Sequence, residues 1–340
     1  MPASTAIPRV GFVLAHEQFA APRLIEFGQT AERAGFDELW TSDHFHPWQD
    51  NQQHSGQAWV TLAALGQRTE RVAMGTGVTC PSFRYRPAIV AQAFASLGVF
   101  YPGRVFLGVG SGEALNEVPA GGGWADVHER SERLAEAVQL IRKLWTGGWI
   151  NHDGPYYPLQ NARIYDLPSQ SVPVYVAASG EHGIKRAAEL GDGWITDVTT
   201  FKDDKMRNAF FEGAHSAGKD PAHLRILVEA FVVVGGQAEA EEAAQLWRFL
   251  PVGFKEFIDE PDPRRIQHGA EQKLSTRDVY ARWVVADDPR QHAEFLHDLA
   301  SLGATDVFVH SGQSDQQRVI DFYGREVLPL VRKEPIRRAA

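Results

Sequence analysis

Short, unbroken apolar runs alternate along this sequence with stretches of helical periodicity, and that alternation leaves few folds open. The runs are Val10–Leu14, Glu38–Thr41, Val72–Val78, Val105–Gly110, Val172–Ala177, Gly193–Thr196, Ile226–Val234 and Asp306–His310. Their apolar character is continuous rather than alternating, the pattern of parallel strands covered on both faces. Helical segments between them make successive βαβ units. Eight strands in this arrangement predict an α/β fold, a single (β/α)8 TIM barrel with insertions across residues 1–340. The stretch 235–303 is too long for one crossover and reads as an insertion with extra helices between strands seven and eight.

The helices have their own signals. One runs over Pro22 to Ala34 and is closed by Gly35, in the position favoured for a left-handed cap. Others are expected over Trp59–Arg68, Ala88–Phe100, Gly183–Leu190 and Asp315–Val331. Asp126 with Glu129 has the form of a capping box. Leu134, Val138, Ile141 and Trp145 then fall on one helical face, a stripe that reads as core packing. Asp153-Gly154 between Trp149-Ile150 and Tyr156-Tyr157 predicts a small hairpin outside the barrel.

Composition narrows the possible partners. A formal charge of −9 argues against a nucleic-acid or anionic-membrane surface. No run of about 18 apolar residues is present to span a membrane. The opening Met1-Pro2-Ala3-Ser4-Thr5-Ala6 lacks the basic and apolar pattern of a signal peptide. The single cysteine, Cys80, rules out an internal disulfide framework and fits the cytoplasm.

In barrels of this kind chemistry sits at the carboxyl ends of the strands. There the sequence places Asp43-His44, Gly77-Val78-Thr79, Gly110-Ser111-Gly112-Glu113, Ser179-Gly180 and Asp197 to Thr200. His44 is the candidate general base, because imidazole exchanges protons near neutrality; a satisfied, partly buried histidine is the competing reading. Glu113 follows glycines that let a backbone approach a flat ligand, and it suits an acid or an anchor. A tight turn with a solvated glutamate is the alternative. Ser179-Gly180 offers free N–H groups to a phosphate or simply starts a helix. Trp48, Trp59 and Trp124 suit either the wall of a planar cofactor or ordinary burial. No metal site is expected, since His44, His46 and His54 lack a shared helical spacing.

Taken together, Glu17-Gln18-Phe19, Ser42-Asp43-His44-Phe45 with Pro47-Trp48, Gly75-Thr76-Gly77-Val78, Phe83-Arg84-Tyr85, Gly112-Glu113-Ala114-Leu115-Asn116-Glu117, Gly191-Asp192-Gly193 and Arg282-Trp283 carry a resemblance over nearly the whole chain. The sequence resembles the luciferase-like flavin superfamily, in its branch of coenzyme F420 (deazaflavin)-dependent glucose-6-phosphate and sugar dehydrogenases. The resemblance implies a homodimer of luciferase-like barrels that passes hydride from the anomeric carbon of a sugar or sugar phosphate to the deazaflavin. It implies His44 as the base, Glu113 as the acid near the cofactor ring and Trp48 steadying the reacting face. It further implies cofactor contacts from Asp43, Gly77, Val78, Asn116, Ser179 and Gly180, with a cis Gly77–Val78 peptide. Lys255 and Arg282 match two of three cations that hold the substrate phosphate in that branch; Thr200 stands where the third, a lysine, is expected. Losing one charge-assisted bond of about 1.5–3 kcal/mol weakens phosphate binding roughly 10- to 100-fold. An unphosphorylated sugar or secondary alcohol is therefore a rival substrate. An FMN-dependent monooxygenase and a non-catalytic ligand-binding relative are rival functions.

Overall fold

The computed structural model describes residues 7–333; the opening hexapeptide read for a signal sequence lies outside the described residues. The strands are β1 (Arg9–Leu14), β2 (Glu38–Thr41), β3 (Ala73–Thr76), β4 (Val105–Val109), β5 (Ile150–His152), β6 (Leu159–Ala162), β7 (Val174–Ala177), β8 (Gly193–Asp197), β9 (Arg225–Val234), β10 (Val284–Ala286) and β11 (Asp306–His310). The order β9-β11-β1-β2-β3-β4-β7-β8, with β8 pairing back to β9, closes a parallel eight-stranded barrel with helices between the strands. Strands β2, β4 and β11 are buried at every position. Continuous apolar runs predict this for strands sandwiched between an interior and a helical shell.

Three expectations need correction. The hairpin exists, but its second strand is Leu159–Ala162 rather than Tyr156-Tyr157. Both tyrosine N–H groups instead donate to Glu136, and the Tyr157 ring is buried under the barrel shell. Asp126 does cap its helix, accepting from the N–H groups of His128 and Glu129. The reciprocal half of the box is not made, because the Glu129 carboxylate is taken by Arg133 one turn on. The stretch after β9 holds a strand as well as helices: β10 pairs with Val232–Val234. This explains why β9 is ten residues long, its last turns standing beyond the barrel wall.

The interior is filled in layers. At the amino end of the strands the Arg225 guanidinium meets Glu38 (2.9 Å), Asp306 (2.9 Å from Nε) and the Tyr175 hydroxyl (3.0 Å), with Arg9 on the other oxygen of Glu38. Above this plug Trp40 and Phe308 stack at 3.9 Å, packed with Val13, Phe106, Ile195 and Leu227. The walls close tightly here: a Cβ on Gly108 would lie 1.9 Å from the Thr76 carbonyl oxygen. The barrel interior is therefore a packed core rather than a channel, and the carboxyl mouth is the candidate site. No helix among the described residues is long and apolar enough to cross a membrane.

Glu38 and Asp306 are fully buried, so Arg225→Ala leaves two carboxylates short of their counter-charge. We expect a loss of about 3–5 kcal/mol, read as a lower urea midpoint with an unchanged slope.

Candidate active site

β2 delivers the chain into Ser42-Asp43-His44, and the neighbouring loops hold that corner rigid. The buried Asp43 carboxylate accepts from the Thr79 hydroxyl (2.6 Å), Arg84 (3.0 Å) and the Tyr85 hydroxyl (3.4 Å). Arg84 also donates to the Asp43 carbonyl. The carboxylate expected to touch the cofactor is thus anchored by three protein donors. Next to it the Gly77–Val78 peptide is cis and half-exposed between buried neighbours.

His44 and Glu113 are brought together, through Asn116. The Asn116 carbonyl oxygen accepts from the Phe45 N–H at 2.8 Å, which settles the orientation of its amide. Its NH2 group then faces His44 Nδ1 at 3.2 Å and Glu113 Oε2 at 2.9 Å. Because an amide NH2 only donates, Nδ1 of His44 is an acceptor, and the neutral ring carries its proton on Nε2. That nitrogen faces Glu17 Oε1 at 3.4 Å, while the other oxygen of Glu17 accepts from the Ser42 hydroxyl at 2.6 Å. His44 keeps 10% of its side chain exposed and Glu17 3%.

The substrate side is more dispersed. Trp48 is buried, stacks on Phe249 at 4.6 Å and lies 5.9 Å from the His44 ring; Phe254, 59% exposed, meets its edge. Trp59 and Trp124 are not beside it: Trp59 packs on Tyr85 and donates to Thr79, while Trp124 donates to Asp259 beneath Arg130. Ser179 and Gly180 are exposed at the start of helix Glu181–Leu190, with nothing within 4 Å of a Cβ on Gly180. Lys255 and Arg282 are exposed. The Thr200 hydroxyl is not free; it donates to Asp197 at 2.6 Å, as does its N–H at 3.0 Å. Two residues on, the Lys202 ammonium lies over the Phe295 ring of the outer helix Pro289–Ser301, 5.5 Å from its centroid.

Over residues 5–306 the sequence matches the family described as luciferase-like monooxygenase. The chain belongs to that family. It is 46% identical, over 95% of its length and 88% of the relative's, to the F420-dependent hydroxymycolic acid dehydrogenase of Mycobacterium tuberculosis. It is 39% identical to the F420-dependent glucose-6-phosphate dehydrogenase of Microbacterium testaceum, over 96% of this chain and 98% of that one. A solved F420-dependent secondary alcohol dehydrogenase, in complex with an F420-acetone adduct, superposes with a TM-score of 0.90 at 33% identity, over 96% of this chain and 100% of that one.

Two further carboxylates, for which the sequence motifs gave no role, stand in this luciferase-like barrel's mouth. Glu17 lies three residues past β1, so the strand-end rule that singled out His44 reaches it equally. Glu117 is buried under Arg84, accepting from its N–H at 2.8 Å and facing its Nε at 3.4 Å. Burial, which Arg84 offsets only in part, pushes the Glu117 carboxyl up to about 7. The folded protein therefore holds this proton more tightly than the unfolded chain. The resulting stabilisation is present below the ordinary value of 4.5 and is lost as pH rises toward about 7. We expect thermal stability to decline between about pH 5 and 7.5, by on the order of 2–3 kcal/mol from this group. Melting curves of Glu117→Gln across that window are expected to show the decline flattened.

Proposed function

We propose that this chain is an F420-dependent dehydrogenase that takes hydride and proton from a carbinol carbon, the anomeric carbon when the substrate is a sugar. The observation that carries this reading is the Asn116 amide, which holds an imidazole and a carboxyl group on one NH2. The mouth suits a planar anionic cofactor: the half-exposed Gly77–Val78 peptide offers a flat backbone face, Gly112 at φ 85 turns the loop, and the open helix start at Gly180 leaves N–H groups for a phosphate. Asn116, Gly77, Val78, Ser179 and Gly180 would hold the cofactor, with Asp43 keeping the corner in place. When bound, the deazaflavin supplies the carbon that accepts hydride.

The protein groups handle the proton. A substrate hydroxyl placed against His44 Nε2 and Glu17 loses its proton by relay: Nε2 hands the proton it carries to the Glu17 carboxylate and takes the substrate's, so the pair gains one proton as the carbonyl, or the lactone of a sugar, forms. Glu113 on the far side of Asn116 is the acid toward the cofactor. Trp48, fixed by Phe249, closes the apolar side of the reacting carbon. FMN is the rival cofactor, and titration of the protein with each is expected to show deazaflavin bound far more tightly. A homodimer is part of the proposal and is checked by light scattering.

Asp197, bonded to Thr200, puts a carboxylate where a phosphate cradle needs a cation, which favours an unphosphorylated alcohol or free sugar. The sugar phosphate remains a second reading because the side chains of Lys255 and Arg282 have no ion-pair partner among the described residues. Bleaching of the oxidised deazaflavin is the assay. We expect secondary alcohols or glucose to bleach it faster than glucose 6-phosphate, and His44→Ala to lower kcat by about 10²–10⁴ with cofactor affinity unchanged. Failure of every alcohol and sugar to bleach it would sink the proposal. If the second reading is right, Thr200→Lys lowers the KM for glucose 6-phosphate at least about tenfold.

A further inference from the structure

A second histidine and carboxylate pair stands at the same mouth, two and three strands round the barrel from the strand that leads into His44, and nothing above uses it. Along β9 the inward positions alternate: Arg225 reaches into the ionic plug, Leu227 packs on the aromatic layer, and Glu229 comes next toward the carboxyl end. Along β11, His310 follows Phe308 in the same way. Both therefore stand on the Trp40–Phe308 floor. His310 Nδ1 lies 2.7 Å from Glu229 Oε1.

The two side chains differ in a way that separates support from contact. His310 is 3% exposed, stacked on Phe231 at 4.1 Å and met edge-on by Trp247 at 4.5 Å. Trp247 is fixed in turn by its N–H donated to Gln18 at 2.7 Å. The Nε2 of His310 is buried without a partner, so the ring's one polar engagement is Glu229. Glu229 keeps 33% of its side chain exposed, and no group among the described residues bonds its second oxygen. In register it sits beside Asp197 on β8, so two carboxylates line one side of the opening.

We propose that Glu229 is the substrate-selecting group of this site and His310 the positioning residue that holds it. The free oxygen of Glu229 accepts a hydrogen bond from a second hydroxyl of an uncharged polyol. Together with Asp197 it turns away substrates that carry a phosphate there. A carboxylate locked by a buried imidazole presents that acceptor in one orientation, which is what selection between similar alcohols requires. The inference deepens the dehydrogenase reading and rests on it for catalysis, although its binding consequences stand apart.

The test uses the full chain, with Glu229→Gln and His310→Leu as variants and melting curves to establish that each folds. By calorimetry we expect Glu229→Gln to bind glucose about tenfold or more weakly and glucose 6-phosphate several-fold more tightly, as expected when a charged hydrogen bond becomes neutral. In the deazaflavin assay the KM for glucose rises by a similar factor with kcat within about twofold, while cyclohexanol, which has one hydroxyl, is unaffected. Folded His310→Leu shows the same pattern in weaker form. A glucose to glucose 6-phosphate binding ratio unchanged in Glu229→Gln overturns the proposal, as does an equal loss for cyclohexanol and glucose. If no alcohol bleaches the cofactor but the binding ratio still shifts, the dehydrogenase reading fails and this one stands.

Discussion

A carboxamide that can point only one way governs the chemistry at this mouth. The Phe45 N–H holds the oxygen of Asn116, so its nitrogen must face both His44 and Glu113. From that single orientation follow the tautomer of His44, with Nε2 facing Glu17, and the placing of Glu113 on the other side of the amide. The orientation holds because everything behind it is immobile. Asp43, Thr79, Arg84 and Glu117 form a buried polar set in which most oxygens have a donor. Such a set is costly to bury, and the elevated Glu117 carboxyl is the sign of that cost.

Much of the fold was legible because parallel strands need unbroken apolar runs, and β2 and β11 fall at the residues the sequence pattern predicts. Pattern alone failed where tertiary partners decide. The hairpin strand slid because Tyr156 and Tyr157 are held by Glu136, a helix residue far away in sequence. The extra strand β10 has three residues, too few for a periodic signal, and owes its existence to the overhang of β9.

The site was legible in part for a similar reason. His44 and Glu113 could be placed at one rim by topology and Asn116 by the resemblance, but the sharing of one amide is a fact of side-chain geometry. Glu17 lies just past β1 in a motif to which the resemblance gave no role, and Glu229 stands in mid-strand on β9, where no strand-end rule points. Thr200 shows the opposite limit: sequence reveals a missing lysine, whereas only the structure shows the hydroxyl held by Asp197.

The long ninth strand has one further consequence. Its residues pass in an unbroken line from the ionic plug, through the aromatic floor, to the overhang that carries β10 and, just before it, Arg282. Proton transfer is proposed for groups on the loops after β1, β2 and β4, two and three strands round the barrel from β9. The segment that follows β9 nevertheless reaches that side, with Phe249 stacked on Trp48 and Trp247 bonded to Gln18 beside Glu17. Changes there that alter the mouth also load the supports of the His44 corner, so in this scaffold the fit of a ligand and the set of that corner move together.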